Sequence, residues 1–171
     1  LKPDCMTWVI DPLDGTSNYF RGLDQCCVSI GLIKNEEPIV GVINDFNNGN
    51  LYVSSLGGGS YLNNKRIHVS NIKDKNKATI GTGFPTGSEF SNTINFLQTL
   101  GEWKKIRMIG SAAMSSAFVA AGKFDVYSEK GVYLWDFCAG ACLVKEAGGV
   151  SKIKSLNDNY KYSVFLSNGL L

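Results

Sequence analysis

Short apolar runs punctuated by turn residues set the pattern of the first part of the chain. Residues 7–11, TWVID, read as a buried strand that ends on an acid. Residues 26–34, CCVSIGLIK, read as a second strand. Residues 38–46, PIVGVINDF, read as a third after a turn at Asn35-Glu36-Glu37. Asn47-Asn48-Gly49-Asn50 is a strong turn signal, because Asn and Gly tolerate left-handed backbone, and LYVSSL follows as a fourth strand. Gly57-Gly58-Gly59 breaks that strand, and SYLNN and IHVS continue the β pattern. Residues 26–70 therefore predict an antiparallel meander.

The periodicity then changes. ATIGT (78–82), KIRMI (105–109), FDVYS (124–128), VSKI and SVFLS read as strands. Residues 88–100 place Phe90, Ile94, Leu97 and Leu100 on one face, as an amphipathic helix does. Residues 111–121 are small and compatible with a helix, with Ser111 as N-cap and Gly122 closing it. Residues 136–147 predict a helix opened by Asp136 and closed by Gly148-Gly149. A meander followed by alternating strands and helices predicts an α/β fold of the layered α+β kind. The expected division is an antiparallel portion at 1–75 and an α/β portion at 76–171.

Composition narrows the function classes. The 171 residues suit one domain, or a piece of a slightly larger one, and the 44% hydrophobic content is that of a soluble protein with a core. A net charge of +2 is too near neutral to argue for nucleic acid or an anionic membrane as partner. The densest basic run, Lys73, Lys75 and Lys77, reads as a solvated turn. No apolar run approaches the roughly 20 residues of a membrane helix, and no signal peptide is recognisable. The chain begins with Leu1, so residues before it are expected. Five cysteines (Cys5, Cys26, Cys27, Cys138, Cys142) with no CxxC spacing and a single histidine, His68, argue against zinc and against a disulfide framework. Buried, reduced thiols in a cytoplasmic protein are the expectation.

The candidate chemistry lies in Asp11-Pro12-Leu13-Asp14-Gly15-Thr16-Ser17-Asn18. Pro12 fixes a backbone angle between the two acids, and a tight turn can bring the Asp11 and Asp14 carboxylates to one point with the Leu13 carbonyl between them. Three oxygens and no soft ligand suit magnesium. Gly15-Thr16 then opens a helix whose N–H groups can meet phosphate. Standing alone, the same motif could be an Asx-turn that caps a helix. Asp136, after Trp135, sits near another helix start, where a carboxylate is favoured with or without a metal. Gly110-Ser111-Ala112 is a turn of small residues able to approach a substrate closely. Glu129 can reach a substrate hydroxyl or be a surface acid.

Taken together, TWVIDPLDGTSN, GGGSYLNNKRIHVS, GSAA and FDVYSEKGVYLWDFCAGACLVKEAGG resemble the inositol monophosphatase family over essentially the whole chain. The resemblance implies a sugar-phosphatase fold and a magnesium-dependent, lithium-sensitive hydrolase of phosphate monoesters, with two or three Mg2+ ions per site in the intact enzyme. It implies that Asp11 and the Leu13 carbonyl ligate metal, that Asp14 and Asp136 hold a second ion, and that metal-activated water attacks phosphorus with Thr16 helping to orient it. Gly15 and Thr16 would bind phosphate, Gly110, Ser111 and Ala112 would line the substrate site, and Glu129 would contact a hydroxyl of a small phosphorylated polyol. It implies a homodimer. The family also draws a glutamate ligand and a further acid from a helical segment before the DPLDGT strand, and it has a C-terminal helix; both are absent from these residues. The proline that the family often has after the Asn-aromatic pair is missing from Arg21-Gly22-Leu23-Asp24. Fructose 1,6-bisphosphate, 3′-phosphoadenosine 5′-phosphate and histidinol phosphate remain open as substrates, as does a metal- or phosphate-binding scaffold without turnover. A nucleotide-binding module is disfavoured, since no GxGxxG opens a helix after a strand.

Overall fold

In the computed structural model, which describes residues 5–84, 90–156 and 160–171, the apolar runs of the first part become six strands: β1 (Met6–Asp14), β2 (Cys27–Lys34), β3 (Glu37–Asp45), β4 (Asn50–Ser55), β5 (Gly59–Leu62) and β6 (Lys65–Ile67). They lie side by side in chain order, all antiparallel. The turn at Asn35-Glu36 has positive φ at both residues, the backbone that matches strand twist in a tight hairpin. Between β1 and β2 sits the helix α1 (Thr16–Phe20).

The later elements form a second sheet and three helices: β7 (Thr79–Gly81), α2 (Phe90–Leu100), β8 (Lys105–Arg107), α3 (Ala112–Ala120), β9 (Val126–Tyr133), α4 (Leu134–Glu146), β10 (Val150–Ser155) and β11 (Lys161–Ser167). The strand order is β10-β11-β9-β7-β8. β7 runs parallel to β8 and β9, while β11 is antiparallel to β9 and β10. Helices stand between its parallel strands in sequence, α2 between β7 and β8 and α3 between β8 and β9, as parallel pairing requires.

One hydrophobic core holds the layers together. It includes Val9, Ile33, Ile43 and Tyr52 of the first sheet, Met114 and Val119 of α3, Phe137 and Leu143 of α4, and Val164 and Leu166 of β11. α4 lies against the first sheet along a row in which Gly31 pairs with Gly41. A Cβ at Gly31 would overlap the Cys138 sulfur, and one at Gly41 would overlap the Ala139 carbonyl. The helix therefore approaches this sheet as closely as backbone allows. α3 meets α4 at Gly140, where a Cβ would overlap Ser116.

The opposite face of the first sheet is also apolar. Ile10, Ile30, Val42 and Val53 form one cross-strand row, and Trp8, Leu32 and Val40 form another. Met6, Trp8, Ile10, Leu51 and Val53 are exposed there. An antiparallel sheet with one wet face normally alternates apolar and polar residues; this one does not.

Three expectations need correction. Within α2, Leu100 is buried but Ile94 and Leu97 are exposed, and Phe96 packs inward with Trp103 instead. The helix meets its small core cluster near one end, so the apolar stripe is not buried along its length; residues 88 and 89 and the side chain of Phe90 lie outside the described residues. Cys5 is exposed, whereas Cys26, Cys27, Cys138 and Cys142 are buried and free. The strand expected to stop at residue 128 runs on to Tyr133, because β11 supplies pairing partners as far as that residue.

Candidate metal and phosphate site

The acids converge because of an irregularity in β1. Asp11 pairs with Ser29 and Asp14 with Cys27, so three steps along β1 match two along β2. Residues three apart in a regular strand face opposite sides. The extra residue turns both acids to the buried face, as a bulge does. Leu13 donates its N–H to Asp11 Oδ1 at 3.0 Å, and its carbonyl accepts from Thr16 Oγ at 2.8 Å. Gly15 has φ 80°, and a Cβ there would stand 2.6 Å from the Gln25 carbonyl, so the residue that turns the chain into α1 has to be glycine.

Asp136 arrives from the other side. α4 starts at Leu134, two residues earlier than expected, so Asp136 is the third helical residue rather than the cap. Its Oδ2 accepts the N–H of Tyr133 at 2.8 Å, which orients the carboxylate at the helix start. Ser29 Oγ donates to the Trp135 carbonyl at 3.4 Å and ties this turn to β2. Carboxylate oxygens of Asp11, Asp14 and Asp136 then lie within 4.8 Å of one another.

Among the described residues no lysine or arginine forms an ion pair with these acids; the pairs Lys75–Glu102 and Lys145–Glu37 involve other residues. Burial holds the Asp14 carboxyl above its ordinary range, opposed by hydrogen bonds from Ser111 and Ala113. Burial likewise pushes Asp136 up to about 7, opposed by the Tyr133 N–H and reinforced by the charges of Asp14, Asp11 and Glu129. Three hard oxygen donors, close together and without such an ion pair, fit a divalent cation such as magnesium.

Asp14 is the most heavily supported acid. The Ser111 hydroxyl donates to its Oδ2, as does the Ala113 N–H at 2.9 Å. The buried Cys27 thiol lies 4.0 Å from the same oxygen. Ser111 also caps α3 by accepting from the Met114 N–H at 3.1 Å. Next to it, Gly110 has φ 71° and packs on Asn18, whose amide donates to the Gln25 and Ile109 carbonyls at 2.7 Å each.

A cavity of about 400 Å³ opens beside the acids. Asp14, Gly110, Ser111, Ala112, Glu129 and Asp136 line it, together with Thr82, Gly83, Phe84, Ser115 and Val132. Asp11, Leu13, Gly15 and Thr16 are not in its lining; Asp11 joins through the carboxylate cluster. A cavity of about 460 Å³ near the Glu37–Lys145 pair contains none of these residues. Glu129 is half-buried and carries a raised pKa, chiefly from burial.

Comparison with known proteins gives the family and the fold. The inositol monophosphatase family model matches residues 1–154. The chain belongs to that family. Over 146 residues it is 47% identical to a Nus factor SuhB of Xylella fastidiosa, covering 83% of this chain and 53% of that protein. It is 37% identical over 147 residues to an inositol-1-monophosphatase of Rhizobium meliloti, covering 84% and 55%. An inositol monophosphatase structure from Anabaena superposes with a TM-score of 0.88 at 36% identity, over 96% of this chain and 70% of that one. The layered α/β architecture is thus the sugar-phosphatase fold of inositol monophosphatases. The chain spans about half the length of the curated relatives it matches.

Sequence reasoning missed several supports of this inositol monophosphatase-like site. Cys27, Gly83 and Tyr127 each act on a site residue, yet none stood out, and Asn18 lay in the candidate octapeptide without a role. Only Tyr127 had a readable signal, since it lies two positions before Glu129 in a strand and so shares its face.

Proposed function

We propose that this chain carries the metal- and phosphate-binding part of a magnesium-dependent phosphate monoester hydrolase acting on inositol monophosphate or a related sugar phosphate. The observation that carries the reading is the meeting of Asp11, Asp14 and Asp136 beside a cavity lined by Ser111 and Glu129. The family match supports it over a scaffold without turnover.

In this reading Asp11, the Leu13 carbonyl, Asp14 and Asp136 hold magnesium. Bound there, the cation supplies Lewis acidity that makes hydroxide available near neutral pH and offsets charge on phosphoryl oxygens. Asp14 stays available as a ligand because Ser111 and Ala113 donate to it and oppose its protonation. Gly15 and Thr16 would present N–H groups at the start of α1 to the phosphate, the Gly15 N–H being one that also meets the Asp14 carboxylate. Thr16 donates its hydroxyl to the Leu13 carbonyl, which leaves its own oxygen able to accept a hydrogen bond from the attacking water and so orient it. Gly110, Ser111 and Ala112 form the wall that the substrate approaches, and Glu129 accepts from a ring hydroxyl. Phe84 and Val132 give the ring apolar contact. The same reading has the enzyme working as a homodimer in the cytoplasm, with neither nucleic acid nor membrane as partner; among the described residues no helix is long and apolar enough to cross a membrane.

The test is phosphate release from inositol monophosphate, fructose 1,6-bisphosphate, 3′-phosphoadenosine 5′-phosphate and histidinol phosphate. Turnover should require magnesium, fall with lithium and drop about 100-fold or more in Asp136→Asn. Turnover indifferent to magnesium and to that substitution overturns the proposal.

A further inference from the structure

We infer that Tyr127 and Gly83 are positioning residues that hold the Glu129 carboxylate, read above as the hydroxyl contact, where substrate hydroxyls meet it. This rests on reading the cavity as a phosphate-ester site.

Tyr127 is fully buried in β9, and its hydroxyl donates to Glu129 Oε2 at 2.9 Å. Burial raises the phenol well above its ordinary pKa, so it remains a donor throughout the physiological range. Its hydrogen bond opposes the burial that favours protonated Glu129, and so helps keep this carboxylate an acceptor. Gly83 follows β7, the strand parallel to β9 whose Gly81 pairs with Tyr127. A Cβ at position 83 would overlap both carboxylate oxygens of Glu129. The carboxylate therefore occupies space that only glycine leaves, with a buried donor fixing one oxygen.

No lysine or arginine pairs with Glu129 among the described residues. An ionised carboxylate offers about four acceptor positions, and Tyr127 takes one. The rest remain for donors entering the cavity shared with Asp14, Ser111 and Asp136. A phosphorylated polyol brings such donors as hydroxyls. A phosphate ester without them leaves this buried acceptor unmatched, which costs binding. Tyr127 and Gly83 are thus positioning residues for specificity and touch neither metal nor phosphate.

The experiment titrates the magnesium-loaded chain calorimetrically with inositol 1-phosphate and with cyclohexyl phosphate, which share a ring and a charge but differ in hydroxyls. The parent should prefer inositol 1-phosphate by about tenfold, the value of one hydrogen bond to a charged group. Tyr127→Phe should bring that ratio close to one. Gly83→Ala, which displaces the carboxylate from the other side, should do the same and stands in if the tyrosine variant folds poorly. Retention of the parental ratio in both variants overturns the inference. Equal affinity of the parent for both esters also overturns it, while leaving the phosphate-site reading intact. Binding of neither ester overturns both.

Discussion

The hydroxyl of Ser111, which caps α3, donates to the carboxylate of Asp14 at the end of β1, 97 positions away in sequence. One side chain thus serves a helix end and a candidate metal ligand. Ser111→Ala should lower unfolding free energy by about 1–2 kcal/mol, from the lost cap and the lost donor to a charged group. It should also weaken magnesium binding, since Asp14 becomes easier to protonate. Denaturant unfolding and a magnesium titration check the two effects, and Ser111→Thr should restore most of both.

Asn18 predicts a second link. Its amide bridges the Gln25 and Ile109 carbonyls, joining α1 to the loop that carries Gly110. Asn18→Ala should cost about 1–2 kcal/mol and should speed amide exchange at residues 110–113 more than in the second sheet. Uniform exchange across the chain would contradict that coupling.

Metal-free stability should depend on pH through Asp136. Its ordinary pKa of 3.8 is raised to about 7 in the fold. A carboxyl whose folded pKa is raised contributes its stability below the unfolded value and loses it as pH rises through the folded one. Without magnesium, the chain should therefore lose stability from Asp136 between about pH 4 and 7, and the raised Asp14 adds in the same direction. Asp136→Asn should flatten this part of the profile. Magnesium should flatten it in the parent by favouring the ionised acids. Thermal unfolding across that range, with and without the cation, is the measurement.

The apolar outer face of the first sheet predicts self-association. Trp8 is 60% exposed amid Met6, Ile10 and the rows that extend through β2 and β3. Contiguous apolar surface of this kind promotes association. Trp8→Lys should lower the sedimentation-average mass and dye binding while changing unfolding free energy by no more than about 0.5 kcal/mol, as for an exposed site.

Much of this was legible in the sequence. The meander followed from apolar runs and Asn/Gly turns, and Asp11, Asp14 and Asp136 stood out as acids at element ends. The bulge between Asp11 and Asp14 was not legible, because register depends on how β2 pairs. The extension of β9 past Glu129 depends on β11, which comes later in the chain. In α2, the apolar stripe of Ile94 and Leu97 gave a correct helix but a wrong buried face, since periodicity does not say how much of a stripe finds a partner. Asn18, Gly83 and Tyr127 matter through contacts between segments far apart in sequence or through an unremarkable i, i+2 pair.

The glycine row beneath α4 works as a gauge for the whole site. With hydrogen at positions 31 and 41, the helix rides at the lowest height over the sheet, and that height sets how far Asp136 reaches toward Asp11 and Asp14. Gly41→Ala would jack up the helix near Ala139, one turn beyond Asp136, and pull the third acid away without altering any of the three. One methyl group, on a strand that carries no acid of the cluster, would thus act on the site through the height of the helix alone.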